Sequence, residues 1–212
     1  MEILLSLLNV LSFSISFMFI ILLSVGQNLN SCRGVVETMV ESNIPQQRKI
    51  KVIKQTRGFC SVACVRMIAG VYGIDLSESE TIDGLGTDRD LGCSPENIVR
   101  FAQEKLHFDA GFREGSSLDE LKALHSRDVY PIVNFFSHFG EGHYSVVTHV
   151  NGDYMTYIDP KLGRRVRRHK QDFYTSWFDY RGEFPPMDKQ DYITRGRIVM
   201  APKGIIPSSF LD

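Results

Sequence analysis

The stretch Cys60–Tyr72, CSVACVRMIAGVY, limits the fold more than any other part of the chain. Only Ser61 and Arg66 interrupt its apolar surface. A helix of that composition is buried nearly all round, so the rest of the domain has to supply partners on every side of it. Gly73 provides the stop. Two further helices are legible downstream. In SPENIVRFAQEKL, Ser94 is the cap, Pro95 takes the first position, and Ile98, Phe101, Ala102 and Leu106 form one stripe. In SLDELKAL, Ser117 and Glu120 stand in capping-box spacing. The pattern then changes to strands at Tyr130–Phe136, His143–Val150 and Tyr154–Asp159, with a hairpin signal at Asn151–Asp153 between the last two. Val166–Lys170 reads as a short strand, Gln171–Phe178 as a short helix and Arg195–Ala201 as a final strand. Helices followed by sequential strands imply an α+β domain with an antiparallel sheet.

Ahead of this domain lies a run of 23 residues without a charge, Ile3–Val25. As a helix it would reach about 35 Å, enough to cross a bilayer core. The run is long for a signal-peptide core, and no Lys or Arg precedes it. The expectation is therefore a single-pass membrane anchor over residues 1–26, with a cleaved signal segment as the competing reading. A polar stalk follows over 27–50, and the globular domain occupies 51–212. Basic residues after the span give only a weak bias in orientation, so the membrane side of the domain stays open.

Composition closes several routes. The net charge is −1, so no bulk electrostatic attraction to nucleic acid is expected. Four cysteines, Cys32, Cys60, Cys64 and Cys93, are too few and too irregular for a disulfide framework, and none forms a CxxC pair. No ligand set with recognisable metal spacing is present, and neither a metal nor a cofactor is expected. A phosphate-binding GxxxxGK[ST] loop is also missing from the sequence.

The chemistry concentrates where the buried helix begins. Unpaired N–H groups and the positive end of the helix dipole favour an anion at Cys60, and a thiol so placed tends toward the nucleophilic thiolate. Gly58 permits a sharp turn just before it. A thiolate needs a base and a group to orient that base. His143 opens one strand after a glycine-rich loop, and Asp159 closes the next. Cys60, His143 and Asp159 thus have the logic of an activated nucleophile. Gln55, five residues before Cys60, offers a side-chain amide which, with the Cys60 N–H, is placed to hold an oxyanion.

The hairpin imposes a condition on this set, because side chains alternate faces along a strand. A two-residue turn at Asn151–Gly152 sets His143 opposite Pro160 and points Asp159 to the other face. A three-residue turn, Asn151–Asp153, sets Asp159 opposite Ser145, on the face of His143. The set therefore requires an odd-length loop, a β-bulge or distortion at the strand end.

The segments QTRGFC, SPENIV, GHYSVV and YIDPKLG, in this order, resemble the C39-like cysteine peptidases, papain-like domains related to the peptidase parts of bacteriocin-exporting transporters. The resemblance covers about residues 51–201. It implies a papain-like α+β fold with N-terminal helices packed on an antiparallel sheet. It places the oxyanion glutamine at Gln55, the nucleophile at Cys60, and the histidine and aspartate at His143 and Asp159. Two departures stand out. Ser61 occupies a position that is glycine in many members, and many members have one more residue between glutamine and cysteine. The implied function is thiol-dependent hydrolysis of a peptide or protein substrate. A peptide-binding module that has lost its chemistry, and an acyl transferase using the same triad, are the alternatives.

Other residues read more plainly. Cys64 is a packed small hydrophobe and Cys93 an inert or surface thiol. His149, on the face of His143 by period two, is a packed sheet histidine, and His138 is a solvated loop residue. The basic run Arg164–Lys170 is a charged edge strand that discourages aggregation. Trp177 belongs to a core.

Overall fold

The computed structural model describes residues 49–138, 140–181, 186 and 188–211. The expected anchor over 1–26 and nearly all of the stalk over 27–50 lie outside the described residues. Among the described residues no helix is long and apolar enough to cross a membrane.

The all-round apolar segment forms α1, Cys60–Val71, with eight of its residues buried. α2 (Glu78–Leu85) and α3 (Pro95–Glu104) follow, each with a serine cap: Ser77 accepts from the Glu80 N–H and Ser94 from the Asn97 N–H. α2 was not legible as a helix, because Thr81 and Leu85 are its only buried residues. A strand then interrupts the helices, β1 (Phe108–Arg113), before α4 (Leu118–His125). The capping box at the start of α4 is present, with Ser117 accepting from the Glu120 N–H and the Glu120 carboxylate from the Ser117 N–H.

The remaining chain supplies β2 (Ile132–Phe136), β3 (Gly142–Asn151), β4 (Tyr154–Asp159), β5 (Arg164–His169), α5 (Lys170–Ser176), β6 (Phe178–Tyr180), β7 (Tyr192–Thr194) and β8 (Arg197–Pro202). Six strands make one antiparallel sheet in the order β1-β8-β2-β3-β4-β5, and β6 and β7 pair separately as a small hairpin. The sheet order explains why helices and strands alternate more than the simple helices-then-strands pattern suggested. β8 returns to the middle of the sheet and pairs with β1, which lies before α4 in the chain.

Side-chain alternation divides the core in two. On one face Ile132, Tyr144, Val146, Ile158, Ile198 and Met200 pack with Val62, Val65 and Ile68 of α1, Leu85 of α2 and Ile98 of α3. On the other face Val133, Phe135, Val147, Met155 and Tyr157 pack with Leu121 of α4 and with Phe173 and Trp177. Fully buried aliphatic side chains of this kind each contribute roughly 1.5–3 kcal/mol relative to exposure. α1 is thereby clamped between the sheet and its neighbouring helices, as an all-round apolar helix requires.

Candidate active site

The start of α1 is built for an anion. Phe59 occupies the cap position and gives no side-chain cap, and the first turn carries no acidic residue. The N–H groups of that turn are therefore not engaged by a side-chain acceptor. Gly58 turns the chain at φ +86°, and a side chain there would overlap the Arg89 carbonyl. Both observations restrict this position to glycine. Just upstream, the Gln55 N–H donates to the Pro160 carbonyl at 2.9 Å. That bond ties the segment before Cys60 to the residue after Asp159.

The β3–β4 hairpin meets the register condition by a route of its own. Asn151 pairs with Tyr154, so the turn has two residues, Gly152–Asp153, rather than Asn151–Gly152 or a three-residue loop. Alone, that turn would turn Asp159 away from His143. A β-bulge between Val147 and His149 inserts Thr148, and beyond it Val147 opposes Tyr157 and Val146 opposes Ile158. This register sets Asp159 level with Ser145, on the face of His143. The bulge also ends the period-two relation between His143 and His149. His149 is exposed rather than packed in the sheet core, and its ring meets His125 edge-on, 5.0 Å between ring centres.

His143 is 3% exposed, and its Nε2 lies 3.0 Å from Asp159 Oδ1. Asp159 Oδ1 also accepts from the backbone N–H groups of Lys161 (2.9 Å) and Leu162 (3.1 Å). Burial alone would raise the Asp159 pKa. The hydrogen bond and charge of His143 and the two backbone donors outweigh it and hold the carboxyl below its ordinary value. For His143, burial disfavours the imidazolium, but hydrogen bonds to Asp159 and to the Cys60 sulfur prevail and lift it to about 9. The imidazole thus bridges the thiol and the carboxylate.

Gln55, Cys60 and His143 line one open cleft of about 1020 Å³, and Asp159 lies behind the histidine, outside the lining. The Gln55 Oε1 is buried with no hydrogen-bond partner, so that end of the amide is not consumed inside the fold. The four residues singled out in the sequence are thus gathered at one end of α1. Cys64 is fully buried, and burial drives its thiol well up. Cys93 is not a surface residue: it is half-buried in the cleft lining, and burial pushes its thiol up to about 11. Trp177 is core, its Nε1 donating to the Gly196 carbonyl at 3.0 Å. His138 is exposed and outside the cleft lining.

One lining residue went unread in the sequence. Asp179, from the middle of β6, reaches the cleft with its carboxylate packed on Gly142. Three-residue strands such as β6 and β7 are too short for alternation to register, so only the pattern Phe178-Asp179-Tyr180 hinted at it.

The sequence profile of the Peptidase C39 family matches residues 49–181. The chain belongs to that family. It carries a C39 cysteine peptidase domain. The lactococcin-G-processing and transport ATP-binding protein LagD of Lactococcus lactis subsp. lactis is 32% identical over 127 residues, 59% of this chain. The match spans 17% of that transporter's length. The fold is that of C39 domains of known structure. The peptidase domain of Streptococcus ComA, a bifunctional ABC transporter, aligns at TM-score 0.57 with 22% identity, covering 73% of this chain and 100% of that domain. A double glycine motif protease from an AMS/PCAT transporter, solved with its leader peptide, aligns at TM-score 0.56 with 19% identity, covering 74% and 95%.

Proposed function

We propose that this C39 domain hydrolyses peptide bonds with Cys60 as nucleophile, His143 as base and then acid, Asp159 as the group that orients His143, and Gln55 as an oxyanion donor. The observation that carries this reading is the single imidazole held between a thiol at a helix start and a buried carboxylate. The Cys60 sulfur attacks the scissile carbonyl carbon and forms a C–S bond. Negative charge moves to the carbonyl oxygen, where the Gln55 amide and the Cys60 N–H stabilise it. His143 gives its proton to the leaving nitrogen, the C–N bond breaks, and a thioester remains. Water, deprotonated by His143, then cleaves the thioester and frees the sulfur. The backbone donors on Asp159 keep that residue anionic, so it fixes the imidazole without accepting its proton.

The substrate class follows from the relatives. One is named for lactococcin G processing, and another was solved with a leader peptide. A peptide or protein is the corresponding substrate here. The charge-free run Ile3–Val25 supports attachment of the domain to a membrane. If so, the full chain stays in the membrane pellet after alkaline carbonate extraction, and its release into the supernatant would refute the anchor.

The catalytic reading is tested by iodoacetamide labelling of the full chain at pH 6. Cys60 is expected to alkylate rapidly, the signal to vanish in Cys60→Ala, and His143→Ala to slow it by about 10²-fold, in the range for loss of a base. Equal rates in wild type and His143→Ala would refute an activated thiol and leave a peptide-binding domain.

A further inference from the structure

We propose that Asp179 forms a subsite for a positively charged side chain, lysine or arginine, in the part of the substrate that departs after the cut. This rests on the catalytic reading above, because the side of the cleft is assigned from it. His143 has to deliver its proton to the leaving nitrogen, so the departing segment lies on the imidazole side of the Cys60 sulfur. Asp179 is assigned to that side by its contact with the residue that precedes His143. Its carboxylate packs against Gly142, the residue before His143, so closely that any side chain on Gly142 would overlap it. The β6–β7 hairpin holds it there: Phe178, Asp179 and Tyr180 pair with Thr194, Ile193 and Tyr192, and Phe178 stacks on Phe136 at 5.4 Å.

The charge on this wall is unbalanced in one direction. Lys161 is bonded to Glu141. Arg181 is held between Glu96 at 2.8 Å and Glu114 at 3.1 Å. Two of the four cations that line the cleft are thereby neutralised within the protein; the other two, Arg57 and Arg89, lie on the segment before Cys60 and the loop before α3. Asp179 is 8% exposed; its partners within the fold are the Tyr180 N–H at 2.9 Å and the neutral Asn134 amide. Among the described residues no Lys, Arg or His forms an ion pair with it. A carboxylate so enclosed is costly to keep ionised unless a cation reaches it. Burial raises its pKa to about 6, which agrees with a charge awaiting a partner. The cleft is the open route to it, and a peptide seated there can bring an ammonium or guanidinium within hydrogen-bonding distance.

The test uses the full chain and a proteome-derived peptide library, with cut sites read by mass spectrometry. Lysine and arginine are expected at least fivefold over glutamate and aspartate at the first two positions after the cut, falling below twofold in Asp179→Asn. A second measurement is independent of turnover. Lysyl-glycinamide is expected to protect Cys60 from iodoacetamide at a concentration at least fivefold lower than glutaminyl-glycinamide, and this difference is expected to vanish in Asp179→Asn. No charge preference in wild type, or one that survives in Asp179→Asn, overturns the subsite while His143-dependent alkylation still upholds the catalytic reading. Loss of that dependence overturns both, so the two failures are told apart.

Discussion

Two carboxylates flank His143, one at the end of β4 and one in the β6–β7 hairpin, and they sit in opposite electrostatic surroundings. Asp159 is 5% exposed and receives the imidazole and two backbone N–H groups, which together hold its pKa down. Asp179 is nearly as little exposed, yet it has only one backbone N–H, the neutral Asn134 amide and no ion pair among the described residues, and its pKa rises to about 6. Solvent exposure is similar in the two, but Asp179 is the more heavily desolvated, so deeper burial and fewer donors act together to raise its pKa. The comparison separates a charge whose partners are built into the fold from a charge left open toward the cleft. The first suits a permanent orienting role. The second suits recognition, where the missing partner arrives with the substrate.

The largest effect is expected from breaking the Asp159 side. Asp159→Asn removes the charge and leaves the shape. This change is expected to slow Cys60 alkylation at pH 6 by about 10²-fold, the scale of a lost acid–base partner. If alkylation in Asp159→Asn stays within threefold of wild type, the Asp159 charge is not what sustains the imidazole. Circular dichroism and thermal melting on the same samples check that the sheet is intact.

Most of this site was readable before any coordinates, and the reasons lie in local chemistry. The cap at Ser94 and the capping box at Ser117–Glu120 are local hydrogen-bond patterns, and both helices start where these residues placed them. α1 followed from its composition alone. The requirement for an odd register or a bulge came from alternation, and the bulge at Thr148 met it. What escaped notice depends on tertiary contact. β1 carries Gly111 at its centre, because the Leu211 carbonyl lies against that residue and leaves no room for a side chain. Glycine in a strand weakens the sequence signal, so β1 was missed. α2 has its own capping box at Ser77–Glu80 but too thin an apolar stripe to stand out. Asp179 is local to nothing it serves: Gly142 and His143 are more than thirty residues away in the chain.

The smallest expected effect, and the one that most refines the comparison, is on stability. Asp179 has a folded-state pKa of about 6, above the ordinary carboxyl value of 3.8. A carboxyl raised in this way favours the folded state while it is protonated, and that contribution is lost as pH rises through about 6. Above that pH the native protein carries a buried charge at a cost on the order of 3 kcal/mol. The groups facing it are His143, whose positive charge lowers the cost, and Asn134, whose amide lies beside the carboxyl. Asp179→Asn has the same shape without the charge. It is therefore expected to raise the melting temperature by about 5 °C at pH 8, and to change it by less than about 1 °C at pH 4, where Asp179 is protonated in the native state. Asp159→Asn should lower the melting temperature at pH 8, because its charge is already paired. If Asp179→Asn destabilises the protein at pH 8, Asp179 is a structural anchor of the hairpin and the contrast between the two carboxylates fails. A gain in stability would mark Asp179 as a residue whose presence costs the fold something, and the cleft is where a cationic substrate can return it.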